Sequence, residues 1–301
     1  MNSPNPMEVE LKLALPPTGP NALRRHPLLA DASSSARQQT LTNTYFDTPQ
    51  SDLAKAHVAL RIRQVDGQVL QTVKTAGQGG GGLSHRDEWE WAIAGPQLDF
   101  DRLATLPPFQ GELGRMLEAL APTLSTNFSR HSWQLIDTSN HHHSHVELVL
   151  DEGEIISGDY RTTIREIELE LKSGEPDDLW GLALTLAEQV PLRPSDSSKA
   201  FRGNALSRQH WPLPDANTPA EWLHRATLAL DAYHDSHQPS YLQQAHAALQ
   251  QLAQHPALPA ELTPLATALP QALDDHGQPS IAYGVNLLSL SHRLALQSAL
   301  S

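Results

Sequence analysis

Met7-Glu8-Val9-Glu10-Leu11-Lys12-Leu13 decides how this chain is read. At a period of two, one face carries Glu8, Glu10 and Lys12 and the other carries Val9, Leu11 and Leu13. Half-buried strands usually set an apolar face against a neutral or mixed one. Here the polar face is a set of ligands. Two carboxylates spaced by two residues project in parallel, roughly 7 Å apart along the strand. That spacing suits a hard divalent cation sharing oxygen donors, and the neighbouring lysine suits an anion bound to the metal. The theme returns at Arg165-Glu166-Ile167-Glu168-Leu169-Glu170-Leu171-Lys172, with Glu166, Glu168, Glu170 and Lys172 on one face.

Between these two stretches the charge changes sign. Val58 to Gln64 and Gln68 to Thr75 read as a hairpin joined by Asp66-Gly67. A two-residue turn pairs Val65 with Gln68 and sets Arg61 opposite Thr72. Arg61, Arg63, Thr72 and Lys74 then share a face, with Ile62, Val65 and Val73 expected on the other. Arg86, Glu88 and Glu90 line one side of a further strand, with Asp87, Trp89 and Trp91 opposite. Strands are also expected over Thr40–Asp47, over Thr126–Asp137 with Arg130, and over Val146–Asp151. Glu88, Glu90 and Glu147 read as partners that hold the arginines, Tyr45 as a wall residue, Glu166 at the strand edge as an acid that is either solvated or set behind the ligands, and Lys172 as a rim charge. The tryptophans read as packing anchors.

The chain of 301 residues has a formal charge of −13 and no cysteine, which excludes disulfides, zinc–thiolate sites and a cysteine nucleophile. The acidic balance argues against general nucleic-acid binding, so a bound anion requires the cations to be gathered in one place. Met1–Pro6 has neither a basic nor an apolar signal region, and no apolar run approaches the ~20 residues of a membrane span. A soluble cytoplasmic protein is the expectation, and a homo-oligomer is compatible with it.

Helices are expected over Pro20–Asp31 (with Pro27 threatening its continuity), Glu112–Leu120 and Leu179–Val190, and from Lys199, where Arg202 follows three residues on. Gly77–Gly82 lacks a following GKS/T and reads as a flexible hairpin connection rather than a phosphate loop. The histidine-rich run Ser139–His145 reads as a hairpin tip. Residues 209–219 read as a linker. Beyond it the composition shifts to Ala, Leu, Gln and His, with helices expected at 220–234, 239–254, 259–273 and 280–300.

At least five strands thus pair an aliphatic face with a charged one. Unpaired charges are too costly to bury in an apolar core. The charged faces must line either an open, solvated sheet or a closed antiparallel barrel around a wet lumen, with helices covering the aliphatic faces. Mixed signs favour the lumen. The expected class is α+β: a closed eight-stranded antiparallel barrel with a polar lumen and covering helices, plus a small all-α C-terminal domain. The boundaries are 1–208 for the barrel domain and 220–301 for the helical one.

These residues resemble the CYTH family, also called triphosphate tunnel metalloenzymes. Glu8-Val9-Glu10-Leu11-Lys12 looks like the family's E-x-E-x-K motif. The resemblance continues through Thr44–Pro49, Leu60–Arg63, Val73-Lys74, Arg86 with Glu88, Arg130, Val146–Gly153, Glu168–Leu171 and Ser198–Gly203. Within the family it is most similar to bacterial inorganic triphosphatases that carry a C-terminal helical CHAD domain, of which residues 220–301 look like a truncated or diverged version. The resemblance implies hydrolysis of inorganic triphosphate to pyrophosphate and phosphate, with Mg²⁺ or Mn²⁺ as cofactor. It implies Glu8, Glu10, Glu168 and Glu170 as metal ligands, with Asp151 a further candidate. Lys12, Arg61, Arg63, Lys74, Arg86 and Arg130 are implied as phosphate binders, and Lys199 and Arg202 as a plug at one tunnel mouth. Lys199, Glu168 and Glu170 are the candidates for a direct part in catalysis. Thiamine or nucleoside triphosphates are rival substrates, adenylate cyclase a rival activity, and a non-catalytic polyphosphate-binding module a rival class. The helical tail is expected to be dispensable for hydrolysis.

Overall fold

In the computed structural model, which describes residues 7–30, 36–137 and 143–300, the first strand β1 (Met7–Ala14) divides its two faces as its alternation requires. Leu11 and Leu13 point outward and are fully buried in a core completed by Leu179, Trp180, Ala183 and Leu186. Each such leucine contributes about 1.5–3 kcal/mol by leaving water. Glu8, Glu10 and Lys12 point the other way, into a cavity.

The remaining strands are β2 (Arg37–Asp47), β3 (Ala59–Val65), β4 (Gln68–Lys74), the short β5 (Gln78–Gly80), β6 (Leu83–Ala92), β7 (Ala121–Asp137), β8 (Ser144–Ser157), β9 (Tyr160–Ser173) and the two-residue β10 (Arg193–Pro194). Their order is β10-β1-β9-β8-β7-β2-β3-β4-β6-β5, and β1 also pairs with β6. That last pairing, with Glu8 opposite Arg86 and Leu11 opposite Leu83, closes the eight longer strands into an antiparallel barrel. The hairpin β3–β4 has the expected register, Val65 with Gln68 and Arg61 with Thr72. Asp66 (φ 50°) and Gly67 (φ 76°) both take the left-handed conformation that a two-residue hairpin turn demands.

Two short helices, α1 (Gly19–Arg24) and α2 (Pro27–Ala30), replace the single one expected, because Pro27 cannot continue a helix. Then come α3 (Asp52–Lys55), α4 (Phe100–Leu103), α5 (Pro176–Ala187) and α6 (Lys199–Arg208). The 112–120 helix is a 3₁₀ turn, Leu113–Ala119. A capping box between Glu175 and Asp178 starts α5, which lays Leu179, Trp180, Ala183 and Leu186 on β1 and its neighbours.

The C-terminal helices are α7 (Pro219–Ser236), α8 (Pro239–Ala253), α9 (Thr263–Ala268) and α10 (Ile281–Leu300). They have a core of their own, built around Leu223, Leu230, Leu249 and Tyr283. They are also fastened to the barrel, since Leu288 of α10 is buried in the same cluster as Leu11 and Trp180. The segment expected as a linker is anchored too, with Trp211 buried against Ala205, Leu206 and Tyr241.

The glycine-rich stretch is packed rather than loose. Lys12 N–H donates to Gly82 O at 2.9 Å, and Gly82 N–H donates to Asp196 Oδ1 at 2.7 Å. Gly82 has φ +92°, and a Cβ there would lie 2.6 Å from Lys12 O, so only glycine fits. Of the histidine-rich run, 139–142 lie outside the described residues. Among the described residues no helix is long and apolar enough to cross a membrane.

Candidate active site

A cavity of about 1750 Å³ occupies the barrel and extends past its mouth along α6. Glu8, Glu10, Lys12, Arg61, Arg63, Lys74, Arg86, Arg130, Glu168, Glu170 and Lys199 all line it, as do Glu88, Glu90 and Glu147. Strand pairing explains the convergence: Glu10 lies opposite Glu170 and Lys12 opposite Glu168 on β1–β9, while Glu8 faces Arg86 on β1–β6.

One wall is a chain of ion pairs. Arg86 donates to Glu8 at 2.7 Å and to Glu10 at 2.6 Å. Lys74 bridges Glu8 and Glu88, both at 2.9 Å. Burial raises the Glu8 carboxyl, but Lys74 and Arg86 outweigh it and hold the group well below the usual carboxylate range. Glu10 goes the other way: burial, together with Glu168 and Glu8, prevails over Arg86 and pushes it up. Glu170 is also raised, mainly by burial and against its contact with Lys172. Glu10 and Glu170, raised in this way, are hard-oxygen donors short of positive charge, the chemistry that a divalent cation takes. Asp151, Glu166 and Glu168 are a further acidic group that could hold one.

The facing wall centres on Lys199, the first residue of α6. Ser198 caps that helix by accepting from Phe201 N–H. The Lys199 ammonium meets Glu166 at 2.5 Å, Asp151 at 2.8 Å and Glu168 at 2.9 Å. Burial disfavours its charge, but these three acids more than offset that, so it stays protonated. Arg130 donates to both oxygens of Asp151 at 2.7 Å and to Glu168 at 2.8 Å. Burial opposes the Glu168 charge, but Lys199, Arg130 and Lys12 hold its carboxyl well below the usual range.

Asp151 is fully buried; its oxygens accept from Arg130 and Lys199, and with Glu166 and Glu168 it forms an acidic cluster whose ligand atoms lie within 4.8 Å of one another. Several other expectations need correction. Of the two readings of Glu166 the solvated one fails: it is 2% exposed and lies behind the lumen row, beneath Lys199. Arg202 does not reach the cavity. Its guanidinium is held by Asp235, Glu166 and Thr163 O. Three residues along a helix from Lys199, it points to a neighbouring element instead. Val65 shares the face of Arg61 and Arg63 and joins Leu41, Phe128, Ile155 and Ile164, so part of the lumen is apolar. Glu88 and Glu90 approach Arg61, both at 3.9 Å, whereas Glu147 pairs with Lys172 at 3.1 Å.

Two lumen cations stand apart. Among the described residues, neither Lys12 nor Arg63 has an ion-pair partner; Arg63 donates only to the fully buried Asn43 amide oxygen, at 2.9 Å. Burial, Arg61 and Arg130 pull Arg63 down to about 10. Asn43 escaped the sequence reading, although its place on the face of Tyr45 and opposite Arg63 was legible in the strand alternation.

A barrel of this topology with matched acidic and basic rows inside invites comparison with known proteins. An inorganic triphosphatase of Haemophilus influenzae is 36% identical over 206 residues, covering 68% of this chain and 56% of the relative's own length. A solved Hippeastrum protein, described as an adenylyl cyclase with dominant triphosphatase activity, is 23% identical with a TM-score of 0.46, over 66% of this chain and 96% of that one. A Pyrococcus horikoshii structure is 22% identical with a TM-score of 0.42, over 64% and 96%. The CYTH domain model matches residues 6–203, the span that builds the closed barrel and ends just past Lys199, and the chain belongs to that family.

Proposed function

We propose that this protein is a metal-dependent hydrolase that cleaves inorganic triphosphate to pyrophosphate and phosphate inside the barrel. The observation that carries the reading is that, among the described residues, Lys12 and Arg63 face the lumen with no carboxylate in direct contact. A polyanion threaded past both would supply that contact. Arg61, Arg63, Arg86 and Arg130 offer planar forks that grip phosphoryl oxygens two at a time. Lys12, Lys74 and Lys199 add point charges. The identity to the H. influenzae inorganic triphosphatase supports the choice of substrate.

The residues that would hold Mg²⁺ or Mn²⁺ are Glu8, Glu10, Glu168 and Glu170. When bound, the metal would neutralise phosphate charge and acidify a water. The chain itself does the rest. The cationic rows orient the triphosphate and stabilise the charge that spreads over the transferring group, which is most of what phosphoryl transfer requires. Water forms a bond to a terminal phosphorus as the bridging P–O bond breaks and pyrophosphate departs. The water's proton passes to one of the lumen carboxylates. Lys199, held as an ammonium, serves as a cation and not as a base. No protein nucleophile is needed.

Phosphate release is measured from inorganic triphosphate, thiamine triphosphate and ATP, each with Mg²⁺, Mn²⁺ or chelator. The expected result is metal-dependent turnover strongest on inorganic triphosphate. Tight binding by calorimetry with no release from any of them would overturn hydrolysis in favour of a polyphosphate-binding module.

A further inference from the structure

The two acids of α7 that face the barrel, Asp231 and Asp235, are each 5% exposed and belong to no lumen row. Asp231 accepts from Arg193 at 2.5 Å, from Ser195 Oγ at 3.0 Å and from Ser197 N–H at 3.2 Å. Asp235 accepts from Arg202 Nη2 at 2.7 Å and Nε at 3.1 Å, and from Thr162 Oγ1 of β9 at 2.9 Å. Spaced four apart, the two carboxylates share one helix face. Between them they seize the chain on both sides of Lys199: residues 193–197 before it and Arg202 after it.

The link reaches the ammonium itself. Arg202 Nη1 lies 3.4 Å from one oxygen of Glu166, and the other oxygen of Glu166 lies 2.5 Å from Lys199 Nζ. Asp235, Arg202, Glu166 and Lys199 therefore form one continuous charged path from α7 to the lumen. The packing of α7 on its own helical neighbours uses Leu223, Ala226, Ala229 and Leu230 and needs neither acid. Buried ion pairs often add little net stability against an apolar replacement, because both charges lose their water. What they do supply is geometry: fixed bond directions from a rigid helix to a segment whose regular structure before α6 is only the two residues of β10.

From this we infer that Asp231 and Asp235 are positioning residues for the hydrolysis, clamping the 193–202 segment so that Lys199 stands at the triphosphate. The inference rests on the reading of the lumen given above. It also reverses the expectation that the helical tail is dispensable.

The test uses the full chain with Asp235→Asn, Asp231→Asn, Lys199→Ala and the double variants. Asp235→Asn is expected to lower kcat on inorganic triphosphate by about 10²-fold, the scale of a small misplacement, and to lower it no further in the Lys199→Ala background. Amide exchange across 193–208 is expected to rise while that of α7 stays protected. A folded Asp235→Asn protein with unchanged exchange and unchanged kcat overturns the inference, as does a fall of equal size with and without Lys199. Should Asp235→Asn not fold, Thr162→Val removes one hydrogen bond of the same carboxylate and is judged by the same two readouts. If the wild-type protein releases no phosphate, the proposed hydrolysis fails by itself. Exchange across 193–208 and calorimetric affinity for inorganic triphosphate then decide the clamp: a rise in exchange with weaker binding supports it, and no change overturns it.

Discussion

Two sets of buried charge lie close together in this molecule, and they are built differently. Along the edge of α7, Arg193 and Arg202 find carboxylates and backbone carbonyls, and their acids also accept from the Ser195 and Thr162 hydroxyls. In the lumen the acids outnumber what the nearby cations can satisfy at Glu10 and Glu170, while among the described residues Lys12 and Arg63 touch no carboxylate directly. A saturated network fixes a shape. An unsaturated one, with surplus acid on one wall and surplus cation on another, awaits a metal and an anion. The same residue types thus read as frame in one place and as site in the other, and what separates them is whether every donor has an acceptor.

The sharpest way to break this comparison is to remove the two lumen acids of β1. Glu8→Ala with Glu10→Ala is expected to cost on the order of 10³-fold in triphosphate turnover, the upper scale for losing preorganised charge stabilisation, and to abolish its metal dependence. A folded double variant with normal, metal-dependent turnover would remove these two residues from the metal site. The next step exchanges one cation from each network. Arg63→Met is expected to lower turnover by about 10²-fold and to cost at most about 1–2 kcal/mol of stability, because it breaks no ion pair and leaves only the Asn43 amide oxygen without its donor. Arg202→Met is expected to cost about 3–5 kcal/mol of stability, because it strands Asp235 and half of Glu166 in the interior. Urea unfolding of both variants distinguishes them. If Arg63→Met proved the less stable of the two, the distinction between site and frame would be lost.

Much of the barrel was legible because alternation is a strict rule. Once Glu8, Glu10 and Lys12 share a face, so must Leu11 and Leu13, and the Asp66-Gly67 turn sets which residue of β4 meets Arg61. The closing pair β1–β6 could be argued only from the need to hide charge, since no local signal says which two edge strands meet. Depth was not legible at all. Glu166 and Glu168 look alike in sequence, yet one lies beneath Lys199 at 2% exposure and the other lines the cavity. Asp151 likewise sits in a strand that announces its direction but not how much is packed above it. The partnership of Asp235 with Arg202 spans 33 residues and two structural units, and neither residue carries a motif for it. The one available hint was on α7 itself, where Asp231 and Asp235, four residues apart, share one side of the helix.

The smallest expected effect concerns the back of the frame. His234 stands between the two acids of α7 and donates to Gly277 O, with Nε2 3.1 Å away. Burial, reinforced by the charge of Arg193, pulls its pKa from 6.5 down to about 4. A histidine with a depressed pKa is neutral in the fold and takes up its proton more readily when unfolded. Its contribution is therefore complete above pH 6.5 and is lost as the pH falls towards 4. Allowing for the ring's partial exposure, that loss is about 2 kcal/mol by pH 4.5. In the lumen, Glu8 and Glu168 are held below the usual carboxylate range, so their contribution is present above pH 4.5 and is lost as the pH falls below it, a separate loss from that of His234. Urea unfolding at pH 7 and pH 4.5 is expected to give a smaller difference for His234→Gln than for the wild-type chain. Equal differences would mean that the acid response comes from the carboxylates, and the frame would then be no more fragile to acid than the site it supports.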